Sequence, residues 1–139
     1  MTKQKLAILG STGSIGTQAL EIVRQHPDKF EVVVLTANTN VDLLAEQINE
    51  FNPQYGLICK DILFKNLKDQ VKTSTELLSG ERELTNMVAL DEVDTVLNCL
   101  VGFAGFGSTV QSIESGKKIA LANKESLVVG GELIMKALK

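Results

Sequence analysis

The sequence predicts an α/β domain with a doubly wound, mostly parallel sheet, and two observations lead to this fold class. Apolar runs alternate with segments of helical period along all 139 residues, a pattern typical of strands joined by crossover helices. A glycine-rich turn, Gly10-Ser-Thr-Gly13-Ser-Ile-Gly16, stands between the first apolar run and the first helical segment. Because parallel crossovers are right-handed in nearly all proteins, a Rossmann-like sheet is the simplest topology.

The first half of the chain predicts two strand–helix pairs. Residues 5–9 form a short apolar strand, and 14–25 form a helix that ends before Pro27, because proline cannot continue a helix. Residues 30–36 contain three consecutive valines, which suits a strand buried on both faces. Residues 41–51 carry one apolar stripe at helical spacing, which indicates core packing.

The second half continues the alternation with shorter elements. The predicted elements are a strand at 55–59, a helix at 61–71, a short strand at 75–78, a helix at 81–89, a strand at 94–101, a helix at 108–115, a strand at 118–122 and a last helix beginning near Asn123. Gly116 is expected to end the helix at 108–115, since glycine is common just past a helix end.

Composition restricts the class of protein. A chain with 44% hydrophobic residues, 22% charged residues and a net charge of −3 is typical of one soluble domain and gives no reason to expect nucleic-acid binding. We expect residues 1–139 to form one cytoplasmic domain without a membrane span. Cys59 and Cys99 lie in apolar runs without a C-x-x-C motif, so buried thiols are expected. We predict no metal ligands and no catalytic residue in this chain.

The glycine turn is the first candidate site. A strand that breaks into a tight turn and opens a helix presents backbone N–H groups and the positive end of the helix dipole to an anion. Gly10 permits the turn, Gly13 lets the backbone approach a diphosphate, and Gly16 lets the helix pack tightly. The hydroxyls of Thr12 and Ser14 can donate to phosphate oxygens, or one of them can cap the helix. A strand–helix turn without a ligand remains the alternative.

The end of the second strand bears on which dinucleotide fits. A carboxylate about 20 residues beyond the turn would bind the ribose 2′-hydroxyl of NAD. Here the segment is Thr36-Ala-Asn38-Thr39-Asn40, and the first acid is Asp42. Neutral donors can accept a 2′-phosphate, so NADP is favoured over NAD.

Two further strand ends belong to the same edge of the predicted sheet, because ligands lie beyond the carboxyl ends of parallel strands. They are residues 102–105 and the polar cluster Asn123-Lys124-Glu125-Ser126. Asn123 and Glu125 suit a helix start. Lys124 is placed to bind a second anion, such as a substrate phosphate.

These motifs together resemble the 1-deoxy-D-xylulose-5-phosphate reductoisomerase family. The matching segments are Leu9-Gly-Ser-Thr-Gly-Ser-Ile-Gly16, the Asn-x-x-x-Leu-Ala-Glu-Gln run from Asn40 to Gln47, Val101-Gly-Phe-Ala-Gly105 and Leu121-Ala-Asn-Lys-Glu-Ser-Leu-Val128. The resemblance spans the chain, and the last segment is the most specific. It implies the conversion of 1-deoxy-D-xylulose 5-phosphate to 2-C-methyl-D-erythritol 4-phosphate, by rearrangement and reduction with NADPH, in non-mevalonate isoprenoid biosynthesis.

The resemblance also assigns roles to individual residues. It implies that Thr12, Gly13, Ser14 and Ile15 contact the NADPH phosphates, that Asn38, Thr39 and Asn40 surround the 2′-phosphate, that Asn123 and Glu125 contact NADPH, and that Lys124 reaches the sugar phosphate. Asn38 stands where the family often has glycine, and Thr39 where it often has lysine, arginine or serine.

The resemblance further implies a divalent metal, magnesium or manganese, and a homodimer in the full-length protein. The family's metal ligands, an Asp-Ser-Glu segment and a later glutamate, would fall beyond Lys139, as would the catalytic and C-terminal domains. We therefore expect residues 1–139 to be an NADPH-binding domain that is inactive alone.

Two other hypotheses stay open. One is the nucleotide domain of another two-domain NADP dehydrogenase, of the aspartate-semialdehyde type, which would need a catalytic cysteine on a loop. The other is a non-catalytic dinucleotide sensor.

Overall fold

The computed structural model describes residues 3–99, Gly116 and residues 118–121, and its centre is a six-stranded sheet. The strands are β1 (Gln4–Leu9), β2 (Phe30–Ala37), β3 (Tyr55–Ile58), β4 (Glu76–Ser79), β5 (Thr95–Asn98) and β6 (Lys118–Leu121). The helices are α1 (Ser14–Gln25), α2 (Val41–Phe51), α3 (Phe64–Gln70) and α4 (Glu83–Val88), with a 3₁₀ turn at Asp61–Leu63 before α3. All five strand pairings are parallel.

The strand order creates a switch point beside β1. The order across the sheet is β4-β3-β2-β1-β5-β6, so the chain builds outward on one side of β1 and then on the other. In open sheets of this kind ligands bind outside the carboxyl ends of the strands where the direction of winding changes. That place here is the edge beyond the ends of β1 and β5.

Helices cover both faces of the sheet, as the doubly wound prediction requires. Leu6 and Ile8 of β1 face a core shared with α1, α2 and α3, whereas Ala7 and Leu9 face a second core shared with α4. All four side chains are fully buried. Successive strand residues point to opposite faces, so two covered faces require a strand that is apolar throughout.

The predicted elements are confirmed with small changes at their ends. The helices at 14–25 and 41–51 have the predicted bounds, and the short strand predicted at 75–78 is β4, one residue later. The helix predicted at 61–71 begins as a 3₁₀ turn, and the one predicted at 81–89 is shorter. Residues 108–115 and the last predicted helix lie outside the described residues.

An ionic contact fixes α1 against α2. The guanidinium of Arg24 donates to both carboxylate oxygens of Glu50, at 2.6 and 2.8 Å, and it also pairs with Glu21. The same guanidinium lies 5.4 Å from the centre of the Phe51 ring. The pair is exposed, so its contribution to stability is small. It does, however, hold the two helices that flank the ends of β1 and β2.

Both cysteines are free thiols, but the predicted burial is confirmed only for Cys99 and is wrong for Cys59. Cys99, just after β5, is buried, and Cys59, just after β3, is half-buried. Burial raises the pKa of Cys99 to about 12. Burial also raises the pKa of Cys59, the Glu81 carboxylate raises it further, and Lys60 partly offsets both effects.

Candidate functional site

The turn after β1 depends on two of its three glycines for its own geometry. Gly10 has φ +74°, a left-handed conformation that side chains other than glycine adopt rarely. A Cβ on Gly16 would lie 2.3 Å from the Gly10 carbonyl oxygen and 2.6 Å from the Ser11 Cα. Both atoms belong to the backbone and cannot rotate away. The predicted roles of Gly10 and Gly16 are therefore confirmed by the geometry.

Gly13 differs from the other two because its surroundings are open. It is exposed, its φ is −74°, and a Cβ there would meet only the Gly10 oxygen at 3.7 Å, an ordinary contact. The fold does not need glycine at this position. A bare backbone at an exposed helix start leaves room for a ligand to approach.

The helix start carries no side-chain cap. Gly13 is the N-cap residue of α1, and no side-chain cap accepts a hydrogen bond from the N–H groups of the first turn. The alternative that Thr12 or Ser14 caps this helix is therefore wrong, because the capping position falls between them. Neither hydroxyl makes a hydrogen bond with a described residue, and Ser14 is exposed while Thr12 is half-buried.

Backbone donors at this helix start remain available. The first N–H groups of a helix have no partner within it, and among residues 3–99 no acceptor bonds to the N–H of Ser14 or Ile15. The helix dipole adds a partial positive charge at the same place. The arrangement suits a phosphate group, in keeping with the role that the family resemblance implies for Thr12, Gly13, Ser14 and Ile15.

Buried hydrogen bonds hold the turn to the end of β2 and to α2. The Ser11 N–H donates to the Thr36 carbonyl oxygen at 2.8 Å, and the Gly10 N–H donates to Thr36 Oγ1 at 3.0 Å. Gln47 Nε2 donates to the Ser11 carbonyl oxygen at 2.9 Å, while Ser11 Oγ donates to Gln47 Oε1 at 2.7 Å. We call Ser11, Thr36 and Gln47 the polar latch; all three are buried.

The role of the polar latch is not evident from the sequence. Gln47 lies three residues after Leu44 and one before Ile48, so it interrupts the apolar stripe of α2. A polar side chain within a buried stripe needs hydrogen-bond partners. That interruption indicates a buried hydrogen bond from Gln47, although it does not identify Ser11 as the partner.

The segment after β2 is exposed and contains no acid, as predicted. Asn38, Thr39 and Asn40 are all exposed, and Asp42 points from α2 to Gln70 Nε2 at 2.9 Å. Asn40 also has a structural role that the sequence analysis did not assign. It is the N-cap of α2, and its Oδ1 accepts from the Leu43 N–H at 3.3 Å. Its Nδ2 group makes no hydrogen bond with a described residue and can donate to a ligand.

A further cavity lies beyond the ends of β3 and β4, and the sequence did not reveal it. It is open, measures about 640 Å³, and is lined by Cys59, Lys60, Asp61, Ser79, Gly80, Glu81, Arg82 and Glu83. It adjoins the segment after β2, because the Lys60 N–H donates to the Asn38 carbonyl oxygen at 3.3 Å.

The other predicted site residues lie outside the described part of the chain. These are Asn123, Lys124, Glu125 and residues 102–105. The strands that precede them are placed: Asn98 of β5 is in register with Leu9 on one side and with Leu121 on the other. The ends of β1, β5 and β6 thus lie at one level along the sheet edge.

Within residues 3–99, Gly116 and 118–121, no group of three or more His, Cys, Asp or Glu residues could hold a metal ion. The described part of the chain therefore offers no ligand set for a divalent cation.

The burial of Cys99 argues against its use as a thiol nucleophile in a dehydrogenase. The reactive form of cysteine is the thiolate. Cys99 is 8% exposed, and its raised pKa keeps the thiol protonated at neutral pH. This observation disfavours the aspartate-semialdehyde alternative.

Comparisons with known proteins agree with the geometry. The family model of 1-deoxy-D-xylulose 5-phosphate reductoisomerase matches residues 6–131. The chain is 45% identical to the enzyme of that name from Saccharophagus degradans, over 98% of this chain and 36% of the relative. It is 47% identical to the one from Phocaeicola vulgatus, over 95% of this chain and 35% of the relative. The chain spans about a third of the length of these relatives.

Solved structures give the same result. The reductoisomerase from Zymomonas mobilis in complex with NADPH superposes with a TM-score of 0.82 at 34% identity, covering 99% of this chain and 36% of that one. A reductoisomerase in complex with NADPH, fosmidomycin and magnesium superposes with a TM-score of 0.81 at 40% identity, covering 97% of this chain and 34% of that one. The match extends over nearly the whole chain in sequence and in fold, and the chain belongs to the 1-deoxy-D-xylulose 5-phosphate reductoisomerase family.

Proposed function

We propose that this chain is the NADPH-binding domain of an oxidoreductase that rearranges and reduces 1-deoxy-D-xylulose 5-phosphate to 2-C-methyl-D-erythritol 4-phosphate in non-mevalonate isoprenoid biosynthesis. One observation carries the proposal: an uncapped helix start with an exposed glycine lies beside an acid-free strand end at the switch point of the sheet. Family membership supports it, as does the NADPH in two of the solved relatives.

The residues of this chain would bind and orient the dinucleotide. The backbone N–H groups of Ser14 and Ile15, with the hydroxyls of Thr12 and Ser14, would donate to the diphosphate. Asn38, Thr39 and the Nδ2 group of Asn40 would surround the 2′-phosphate. NADPH supplies a hydride when it is bound. The exposed Gly13 fits this role, because its backbone can be approached closely.

The remaining assignments belong to the same proposal. Asn123 and Glu125 would contact NADPH, and Lys124 would bind the phosphate of the sugar substrate. A solved relative in complex with magnesium supports a divalent cation, magnesium or manganese, in the full-length protein. Since the described residues offer no ligand set, we propose that other parts of that protein hold it. The residues of this chain would then serve the cofactor rather than the metal.

We further propose that the full-length protein is a cytoplasmic homodimer that acts on small molecules and binds neither nucleic acid nor membranes. The net charge of −3 supports the absence of nucleic-acid binding. Among the described residues, no helix is long and apolar enough to cross a bilayer. A non-catalytic dinucleotide sensor is not favoured, since the relatives are enzymes of one name.

A direct titration tests the proposal. NADPH fluorescence is followed as the 139-residue chain is added, and saturable binding is expected. The mixture is then supplied with 1-deoxy-D-xylulose 5-phosphate and a magnesium salt, and no NADPH consumption is expected from this chain alone. Absence of saturable binding would contradict the assignment of the cofactor site.

A further inference from the structure

The segment proposed to surround the 2′-phosphate has no positive charge of its own. Asn38, Thr39 and Asn40 are neutral, and one polar atom of Asn40 is already bonded to the Leu43 N–H. A phosphate monoester is doubly charged or nearly so at neutral pH. Neutral donors alone recognise such a group less strongly than a charged donor does. A cation near this segment would therefore determine how strongly the site selects the phosphorylated dinucleotide.

Lys60 is held directly beside this segment by backbone hydrogen bonds. Its N–H donates to the Asn38 carbonyl oxygen at 3.3 Å, and the preceding Cys59 N–H donates to the Ala37 carbonyl oxygen at 2.9 Å. Neighbouring parallel strands are about 5 Å apart, so the Lys60 backbone lies at about that distance from Asn38. The pairing of β2 with β3, rather than closeness in sequence, brings the lysine here.

The Lys60 side chain is available for a ligand. It is exposed, and it forms no salt bridge or hydrogen bond with any residue in the described part of the chain. A lysine ammonium on a flexible four-carbon stem can reach a group beside its own backbone. Its charge acts at the end of β3, where it favours the thiolate of Cys59.

Four other charged residues, Asp61, Glu81, Arg82 and Glu83, line the same cavity as Lys60. Asp61 follows Lys60 directly at the end of β3, and the other three lie one strand farther out. Gly80 bonds to Ile58 of β3, and Glu81, Arg82 and Glu83 follow it at the end of β4, which pairs with β3 and not with β2. Lys60 alone among these five has a hydrogen bond to the segment after β2.

We propose that Lys60 supplies the cation that selects NADPH over NADH at this site. The inference rests on the proposed function and adds to it a specificity-determining residue just after β3, whose backbone bonds to the segment after β2. The Lys60 ammonium pairs with the 2′-phosphate, a group that NADH lacks. NADH therefore gains nothing from this lysine, and the effect of losing it falls on one cofactor only.

The test compares two lysines at opposite edges of the sheet. Lys60→Gln removes the proposed cation, and Lys29→Gln removes the same charge from an exposed position before the eight-residue β2. Lys29 lies about 30 Å from Asn38 along the extended strand, well beyond the screening length of about 8 Å at physiological salt. Dissociation constants for NADPH and NADH are measured on the wild type and both variants.

The expected result is selective. Lys60→Gln weakens NADPH binding roughly tenfold, the usual scale for one charge-assisted contact, and leaves NADH binding unchanged. Lys29→Gln changes neither constant, and Lys60→Arg retains the preference. Raising the salt concentration weakens NADPH binding to the wild type more than to Lys60→Gln.

Two other results would overturn the proposal. If Lys60→Gln weakens both cofactors equally, or weakens neither, Lys60 is not the selective cation, while the wild-type preference for NADPH still supports the proposed function. If the wild type binds neither cofactor, the proposed function fails and this inference fails with it.

Discussion

The ends of β1 and β2 lie side by side, yet they are built in opposite ways. The turn after β1 is fixed by the polar latch of Ser11, Thr36 and Gln47, which is buried, and by a glycine that admits no Cβ. The segment after β2 is exposed, and apart from the Asn40 cap its residues are held by backbone bonds. In the proposed site, the first region would bind the cofactor through backbone N–H groups and the second through side chains. The fold would then fix the shape of the first region, whereas exposed side chains of the second would determine specificity.

The largest expected effect comes from the rigid region. Gly16→Ala should lower the free energy of unfolding by about 3 kcal/mol, because its Cβ would overlap the backbone of Gly10 and Ser11. Alanine normally stabilises a helix by about 1 kcal/mol relative to glycine, so a loss is contrary to helix propensity. Urea denaturation measures it. Unchanged or increased stability would contradict the tight packing.

Gly13→Val is the matched test, three residues away on the ligand side. The φ of −74° suits valine, and the space around Gly13 is open. We therefore expect the free energy of unfolding to fall by only about 1 kcal/mol, because valine is a poorer N-cap than glycine. The side chain would block the diphosphate, and binding of both NADPH and NADH should become undetectable by fluorescence titration. Retained binding would show that the turn is not the phosphate site.

Gln47→Leu breaks the polar latch without changing any predicted ligand contact. The Ser11 carbonyl loses its donor while it stays buried, which should cost about 2 kcal/mol in the free energy of unfolding. Glu46→Gln, at the neighbouring exposed position, is the control and should change stability by less than about 0.5 kcal/mol.

The same variant also separates the two regions by their ligands. Because the turn is proposed to bind the diphosphate that NADPH and NADH share, Gln47→Leu should weaken the binding of both cofactors by a similar factor. Lys60→Gln should weaken NADPH alone. If Gln47→Leu weakened the binding of NADPH only, it would contradict the proposal that the turn after β1 binds the shared diphosphate and the segment after β2 selects the 2′-phosphate.

The smallest expected effect is a pH dependence at the end of β5. Burial raises the pKa of Cys99 to about 12, whereas an unfolded thiol ionises near pH 8.5. The unfolded chain therefore releases a proton that the folded chain keeps, and stability falls as the pH rises above about 8.5. We expect a loss of about 1 kcal/mol between pH 9 and 10 under reducing conditions.

Cys99→Val provides the comparison for that measurement. Its stability should fall less steeply over the same pH interval, because one titrating group has been removed, and the difference in slope is the contribution of Cys99. Equal slopes in the two proteins would mean that the Cys99 thiol is not protected from ionisation by its burial.

The sequence predicted the strand and helix order because each element has a clear period and a clear stop. The glycine turn separates β1 from α1, and Pro27 separates α1 from β2. Both α1 and α2 have the predicted bounds. The glycine turn and the acid-free end of β2 could be identified because strand ends in a parallel sheet are local in sequence. Thr36 belongs to that end, but its bonds to Gly10 and Ser11 join distant parts of the chain and do not follow from the local pattern.

Contacts between distant segments could not be predicted in this way. Gln47 reaches Ser11 across 36 residues, and Lys60 reaches Asn38 only because β3 pairs with β2. Both depend on strand order and register, which periodicity does not specify. The N-cap of α1 was left open for a similar reason, since a shift of one residue decides whether Thr12, Gly13 or Ser14 occupies it.

The most direct test of the central claim is the melting temperature of the 139-residue chain with NADPH and with NADH at equal concentration. A ligand at about 100 times its dissociation constant stabilises the fold by about 2.7 kcal/mol, which is roughly 5–10 °C for a domain of this size. We predict that NADPH raises the midpoint by this amount and that NADH raises it less. Equal shifts would contradict the NADPH assignment, and no shift with either would contradict a dinucleotide site at the end of β1.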